Sequence, residues 1–566
     1  MRKYECKIFF LYIIFCFWYN NYYSFRKGVI CIKKLDIARR TVAIILCAVF
    51  LCLPLCSCRG KSKNVSWLLS TAPKNLDPQT AEDESELLII KNCFSGLFEK
   101  DANGELFSSF VEKYDVSQSG KTYVFHLYKD KKWSFYEKRK VKEYGSVTAH
   151  DFAFAVKRVF TDAPDCDIMN VLRYIKGADK ALENGDISAL CVSCPDDFTL
   201  KIELSEKNNA LIEAFTNYRL FPCNEEFFNS TSGKYALTYD SLIFNGAFVI
   251  SAMGESSVKL VKNTNAPFDV KASGVTLYLP KSTREHVALL KEGDIDAANL
   301  SFEQFDMLKG SKAFTYSQKN SRVWALVFNK DDALWQNENL RKAVATCIDR
   351  TVLDDKTSHI SVADRLFSEN TLLYSKNYLN LTKNVSSQRY NPQNAKVLYA
   401  AALLELEMNK IYNTSVLVCN SSVYKDSFSA LNQVFQRDLS LYFSLEEVEQ
   451  SALIKRVKNG EFSAAVIPLG ITGDTPFSML EYFYKDSAVC ILPVENEEFV
   501  QNFASAQEIT NADSAPLYAS AEKTLYDTAL VSPLYFEKSY FVSSNSVSGF
   551  ESDLHGSVLF KNVIKK

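Results

Sequence analysis

Cysteines, carboxylates and histidines are the side chains of this chain that could do chemistry, and their spacing narrows what that chemistry is. Cys191-Val-Ser-Cys194 has the spacing of half a tetrahedral zinc site or of a dithiol redox motif. No second pair and no histidine lies near it in sequence, so neither use is expected. The five histidines, His126, His150, His286, His359 and His555, are scattered, which leaves little for a Ser-His or Cys-His nucleophile. Gly120-Lys-Thr122 ends like a phosphate-binding loop. However, the position of its required first glycine holds Asp115, and strand-type sequence follows where a helix must start. No G-x-S-x-G, H-E-x-x-H or G-x-G-x-x-G motif occurs. No catalytic centre, cofactor or metal is expected.

The chain around these residues has 566 amino acids, room for two to four domains. Its net charge of −2 and 47% hydrophobic residues are ordinary for globular protein and exclude both a basic nucleic-acid footprint and a disordered acidic chain. Its 40 Phe, 29 Tyr and 5 Trp can fill several cores or line a large apolar cleft.

Seven of the 15 cysteines fall within the first 58 residues, among two apolar runs. Lys33, Lys34, Arg39 and Arg40 precede an apolar stretch from Thr41 that ends in Leu55-Cys56-Ser57-Cys58. A basic region followed by an apolar one reads as a secretory signal. Its end resembles a bacterial lipobox, with Leu at −3 and a small residue at −1, so Cys58 is the expected site of lipidation. Cleavage before Cys56 would place Leu55 where a small residue is needed. The earlier run, Ile8 to Tyr19, is shorter than the roughly 20 residues of a membrane-spanning helix. A start near Val29 would give a leader of conventional length, with residues 1–28 then an over-extended gene model; a real cleaved or membrane-inserted leader is the other reading. The remaining eight cysteines read as scattered buried thiols or one local disulfide.

Beyond Val65 short strands alternate with helices, without repeats, charge blocks or low-complexity tracts, which predicts an α/β protein. Residues 122–128 and 198–204 have strand composition. Thr148-Ala-His-Asp151 opens a helix through its threonine cap and favourably placed aspartate. Residues 391–408 form a helix with an Asn cap and a Pro in its first turn, and 416–420 a strand.

Eight segments in order give the chain a family resemblance. They are Leu76-Asp-Pro78; residues 94–104 from Phe94 to Gly104; residues 123–134 from Tyr123 to Ser134; Val147-Thr-Ala-His-Asp-Phe152; Asn245-Gly-Ala-Phe248; residues 289–296 from Leu289 to Asp296; residues 337–350 from Asn337 to Arg350; and Ser532-Pro-Leu-Tyr535. Together they resemble the family 5 extracellular solute-binding proteins of ABC transporters, the oligopeptide- and dipeptide-binding group, over nearly all of residues 65–566. The resemblance implies a two-lobed, class II periplasmic-binding-protein-like fold, with an extra domain in lobe one and a hinge between lobes. It implies lobe one from 59–90, about 207–275 and about 538–566, the extra domain at about 91–206, and lobe two at about 276–537. Ligand would bind between the lobes without chemistry, so the protein is expected not to be an enzyme.

The expected partners are an oligopeptide ligand, the permease subunits of an ABC transporter and the membrane, reached through the lipid anchor. A monomer is expected, on the outer side of the cytoplasmic membrane, without nucleic acid. The family also takes nickel complexes, oligosaccharides and opines, and a signalling or adhesion lipoprotein without transport remains open. Peptide-binding relatives hold the ligand's α-ammonium with an aspartate four residues before a proline. In Leu469-Gly470-Ile471-Thr472-Gly473-Asp474-Thr475-Pro476 that position is Thr472, and a usual tryptophan is Leu469. Asp474 is either a substitute anchor or a turn residue. On lobe one the relatives line the cleft with the segment after Leu76-Asp-Pro78, here Glu82-Asp83-Glu84-Ser85-Glu86. This run is either a solvated helix start or a source of negative charge for an amine-bearing ligand.

Overall fold

The computed structural model describes residues 64–101, 105–166, 168–279, 283–353, 360–374, 376–412, 414–470, 475–487, 489–509, 511–552 and 557–566. Cys58 and the leader lie outside the described residues, as do Ile471, Thr472 and Asp474.

Eleven strands make one mixed sheet. In chain order they are β1 (Val65–Leu68), β2 (Phe248–Gly254), β3 (Ser257–Lys262), β4 (Gly274–Tyr278), β5 (Ala297–Leu300), β6 (Phe314–Phe328), β7 (Ile360–Val362), β8 (Thr414–Cys419), β9 (Phe443–Val448), β10 (Ala464–Leu469) and β11 (Val531–Ser544). Their spatial order is β2-β3-β4-β1-β5-β11-β6-β10-β8-β9, with β7 beside β11. β1 runs parallel to β4 and β5, and β8 parallel to β9 and β10. β6 and β11 are antiparallel to each other and to their outer neighbours. Every residue of β1 and of β10 is buried, as strands covered on both faces require.

Two large apolar cores hold the protein. The first gathers side chains from 65–277 and 547–563, among them Trp67, Phe125 and Phe560. The second spans 323–536, among them Trp335, Phe443 and Tyr526. A third, small cluster joins Leu68 of β1 to Val287, Leu290, Phe305, Tyr540 and Val542. β6 and β11 run from one side to the other: Val323–Phe328 and Val531–Phe536 lie in the second core, whereas Tyr540 and Val542 lie in the small cluster beside β1. Between these stretches the pairing of β6 with β11 slips, between Asn320 and Val323. Two strands with a local irregularity thus connect the cores, the fold expected of a two-lobed receptor.

A separate four-stranded antiparallel sheet, in the order 111–116, 122–127, 199–203, 192–196, contributes to the first core. Beside it lies the helix Ala149–Asp162, second in chain order after α1 (Glu84–Cys93) and here α2. Asp151 accepts the Thr148 N–H at 2.8 Å and the Trp133 Nε1–H at 2.9 Å, closing the capping box. The strands expected at 122–128 and 198–204 are observed as Thr122–Leu127 and Thr199–Glu203.

Several of the sequence landmarks are joints. Arg158 of α2 grips Asp77 with two guanidinium bonds, of 3.0 and 2.6 Å. Asn245 bonds the Ser95 backbone in both directions, at 3.1 and 2.9 Å. A Cβ on the adjacent Gly246 would meet the Cys93 carbonyl carbon at 2.6 Å, so only glycine fits. Arg350 donates to the carbonyls of Ala363 at 2.9 Å and Pro533 at 2.7 Å. All eight described cysteines are free, Cys191 and Cys194 included, so the local disulfide left open by the sequence is not formed. Among the described residues no helix is long and apolar enough to cross a membrane.

Candidate functional site

The acidic run at the start of α1 separates into distinct roles. Asp83 is the helix N-cap: its Oδ1 accepts the Ser85 N–H at 2.9 Å and the Thr71 hydroxyl at 2.6 Å. Glu86 is buried and accepts the backbone N–H groups of Lys74 and Asn75, both at 2.8 Å. Glu82 is exposed and lies 3.7 Å from Arg219. Glu84 makes no hydrogen bond and no ion pair with any described residue. Glu84 is solvent-exposed, and partial desolvation by the protein around it, ahead of the opposing Arg322 charge and the repulsion of Asp83 and Glu537, raises its carboxyl above the ordinary glutamate value.

Arg322 and Glu537 stand on β6 and β11 where these strands cross between the cores, with Arg322 Nε 3.7 Å from Glu537 Oε2. Alternation along the strands carries Trp324 and Tyr535 to the same sheet face as these charges. The two are cross-strand partners, fully buried, with rings 6.4 Å apart. Tyr424, in the first turn of the helix 422–439, stacks on Trp324 at 4.0 Å and hydrogen-bonds Glu537. Burial, and then the Glu537 charge, push the Tyr424 hydroxyl pKa up. Trp324 Nε1 and Tyr535 Oη are buried without a hydrogen-bond partner among the described residues. Three aromatic rings, one carboxylate and one guanidinium therefore meet on the strands that connect the cores.

The opposite face of the same strands borders a second concavity. Val323 and Phe536 line it together with Asn320, Ser368, Thr371, Leu469, Gly470 and Thr475. Leu469 is sealed in the second core, and Gly470 follows it with φ of +92°, a conformation glycine adopts freely. Of the residues singled out from sequence, Glu84 thus lies beside the strand crossing and Leu469 and Gly470 border this concavity, while Glu82 and Asp83 are held by Arg219 and by the helix cap. Sequence reading missed Arg322, Glu537 and Tyr424. Only Glu537 carries a sequence signal, a carboxylate that follows the apolar run Leu534-Tyr-Phe536 of its strand.

A further contact joins the first core's extra sheet region to the second core. Asn170 donates to Glu481 Oε2 at 2.6 Å and to Ser487 Oγ at 2.9 Å, and Arg173 bonds the Asp486 carbonyl.

Separate cores joined by two crossing strands give the two-lobed fold of a binding-protein class. Residues 105–489 match the family model of the bacterial extracellular solute-binding proteins, family 5 (middle), and the chain belongs to that family. This is a family of solute binders, not of enzymes. The chain is similar to the oligopeptide-binding protein OppA of Bacillus subtilis, 24% identical over 521 residues that cover 88% of this chain and 92% of that protein. It is also similar to the oligopeptide-binding protein AliA of Streptococcus pneumoniae, 27% identical over 413 residues, 63% of this chain and 62% of that one. Among solved structures, OppA of Listeria monocytogenes bound to peptide superimposes with a TM-score of 0.70 at 20% identity, covering 90% of this chain and all of that one. The complex of Haemophilus influenzae OppA with the peptide RPPGFSPFR gives 0.68 at 20% identity, covering 89% and 99%.

Proposed function

We propose that this protein captures oligopeptides between its two lobes and hands them to an ABC permease, tethered outside the cytoplasmic membrane by lipid on Cys58. The observation that carries the reading is the similarity, along almost the whole chain, to oligopeptide-binding proteins, combined with two separate apolar cores among the described residues. Closure around a ligand then needs contacts with both lobes in the closed state.

We assign lobe one to about 64–90, about 207–316 and about 540–566, with 91–206 as its extra domain, and lobe two to about 321–537. The packing of Val287, Leu290 and Phe305 against Leu68 and Tyr540 favours giving the stretch after 276 to lobe one. The segments on which the reading rests are Glu84 on one lobe and the Leu469-Gly470 end of β10 on the other, with Ile471, Thr472 and Asp474 continuing from it. The polypeptide backbone of a ligand suits such a site, because added-strand pairing tolerates varied side chains.

Thermal unfolding of the purified protein against peptide and oligosaccharide pools tests the proposal. A ligand present at a hundred times its Kd adds about 2.7 kcal/mol of stability. Stabilisation by peptide pools and not by sugars is the expected result. No shift with any peptide pool overturns it.

A further inference from the structure

We propose that lobe one carries a second binding site, away from the space between the lobes, for a small apolar zwitterion, either a free amino acid or a dipeptide. Lys157 holds its carboxylate, Glu225 its ammonium, and Phe154, Ile187 and Phe228 its apolar side chain. The inference goes beyond peptide capture and does not depend on it.

The helical period of α2 builds one wall of the site. Positions 150, 153, 154, 157 and 161 recur at steps of three and four residues along one face of the helix and all border the same cavity. Phe152, Val156 and Val159 pack in the first core. The edge strand Val192–Asp196 of the four-stranded sheet and the short helix Glu225–Ser230 complete the walls. The cavity measures about 520 Å³, within the ordinary range for a small-molecule site. All of its lining residues fall between 150 and 229, and none belongs to the second core or to β6 and β11. An occupant here therefore leaves the space between the lobes free.

The charges around the cavity divide into those already bonded and those that are not. Arg158 is committed to Asp77 and Asp162, at 2.6 and 2.7 Å, and its guanidinium lies over the Phe228 ring at 4.3 Å. His150 stands 3.4 Å from Asp197. Lys157 is half-buried and Glu225 exposed, and neither makes a hydrogen bond or an ion pair with any described residue. One cation and one carboxylate, on different elements of one cavity and not paired with each other, complement a molecule that carries both charges. The half-buried side chains of Phe154, Ile187 and Phe228 offer it an apolar wall. A doubly charged anion fits worse, because Asp162 and Glu225 repel its second charge.

Calorimetric titration of the purified protein uses four probes: phenylalanine, leucyl-phenylalanine, N-acetyl-phenylalanine and phenylalanine amide. At least one of the first two should bind about ten-fold more tightly than either blocked form, as a charge-assisted hydrogen bond gives. The tighter of the two identifies the amino acid or the dipeptide as the occupant. Lys157→Met should weaken that probe about ten-fold and leave phenylalanine amide unchanged. Glu225→Gln should weaken it likewise and leave N-acetyl-phenylalanine unchanged. Ser193 is exposed and lines the cavity, so Ser193→Trp should fill it and abolish binding. Unfolding temperatures show whether the three variants are folded. Equal affinity for all four probes, binding of none at millimolar concentration, or binding unchanged by Lys157→Met or by Ser193→Trp overturns the inference. Each of these results leaves peptide capture between the lobes standing.

Discussion

Asp83 and Glu84 are neighbours of like charge, one committed to capping its helix and the other exposed. The capping role predicts that Asp83→Ala lowers stability by about 1 kcal/mol, read from chemical denaturation, without changing ligand preference. Glu84 predicts a pH effect. Asp83 from its own turn and Arg322 and Glu537 from β6 and β11 set the local field. With its pKa raised, Glu84 is fully ionised only at correspondingly higher pH. The folded state takes up this proton more readily than the unfolded chain, so Glu84's contribution to stability falls as pH rises through its raised pKa. Glu84→Gln should leave the unfolding temperature unchanged or higher while removing this part of the pH dependence of stability. A variant that keeps the wild-type pH profile contradicts the account.

At the scale of elements, the second core is pinned by a buried ion pair. Glu522, in the helix 515–527, accepts from Arg365 Nε at 2.9 Å, from the second arm of that guanidinium, and from Tyr526 at 2.6 Å. Glu522→Ala strands Arg365 without its charge partner and should cost about 3–5 kcal/mol of unfolding free energy. A loss under 1 kcal/mol would contradict the pairing. The elements legible in the sequence are those with local signatures. Asn391 caps its helix by accepting the Asn394 N–H at 3.0 Å, with Pro392 in the first turn, and β8 appears at 414–419 beside its expected place. The helix stops at Glu405 instead of 408 because Glu407 adopts φ of +54°. Composition gave no sign of that turn. The landmarks that carried the resemblance were legible because residues such as Asp77, Asn245 and Arg350 make joints that tolerate few replacements. The field at Glu84 includes Arg322 and Glu537, distant along the chain, and that part was not legible in the local sequence.

At the scale of the whole molecule, closure depends on contacts between the lobes. Asn170 bonds Glu481 and Ser487 across that divide. If these bonds belong to the closed state, Asn170→Ala should weaken ligand affinity about three-fold to ten-fold by shifting the equilibrium toward open forms. X-ray scattering of the unliganded variant should then show a larger radius of gyration than wild type, and unchanged affinity and size would contradict it. The central claim is that the space between the lobes takes peptides. Native mass spectrometry of the purified protein, with the released ligand then fragmented, tests it most directly. Bound species that fragment into amino-acid residue masses, exchangeable with added peptide at one copy per chain, are the predicted result. A bound sugar or metal chelate, or a protein that takes up nothing from a peptide pool, would contradict it.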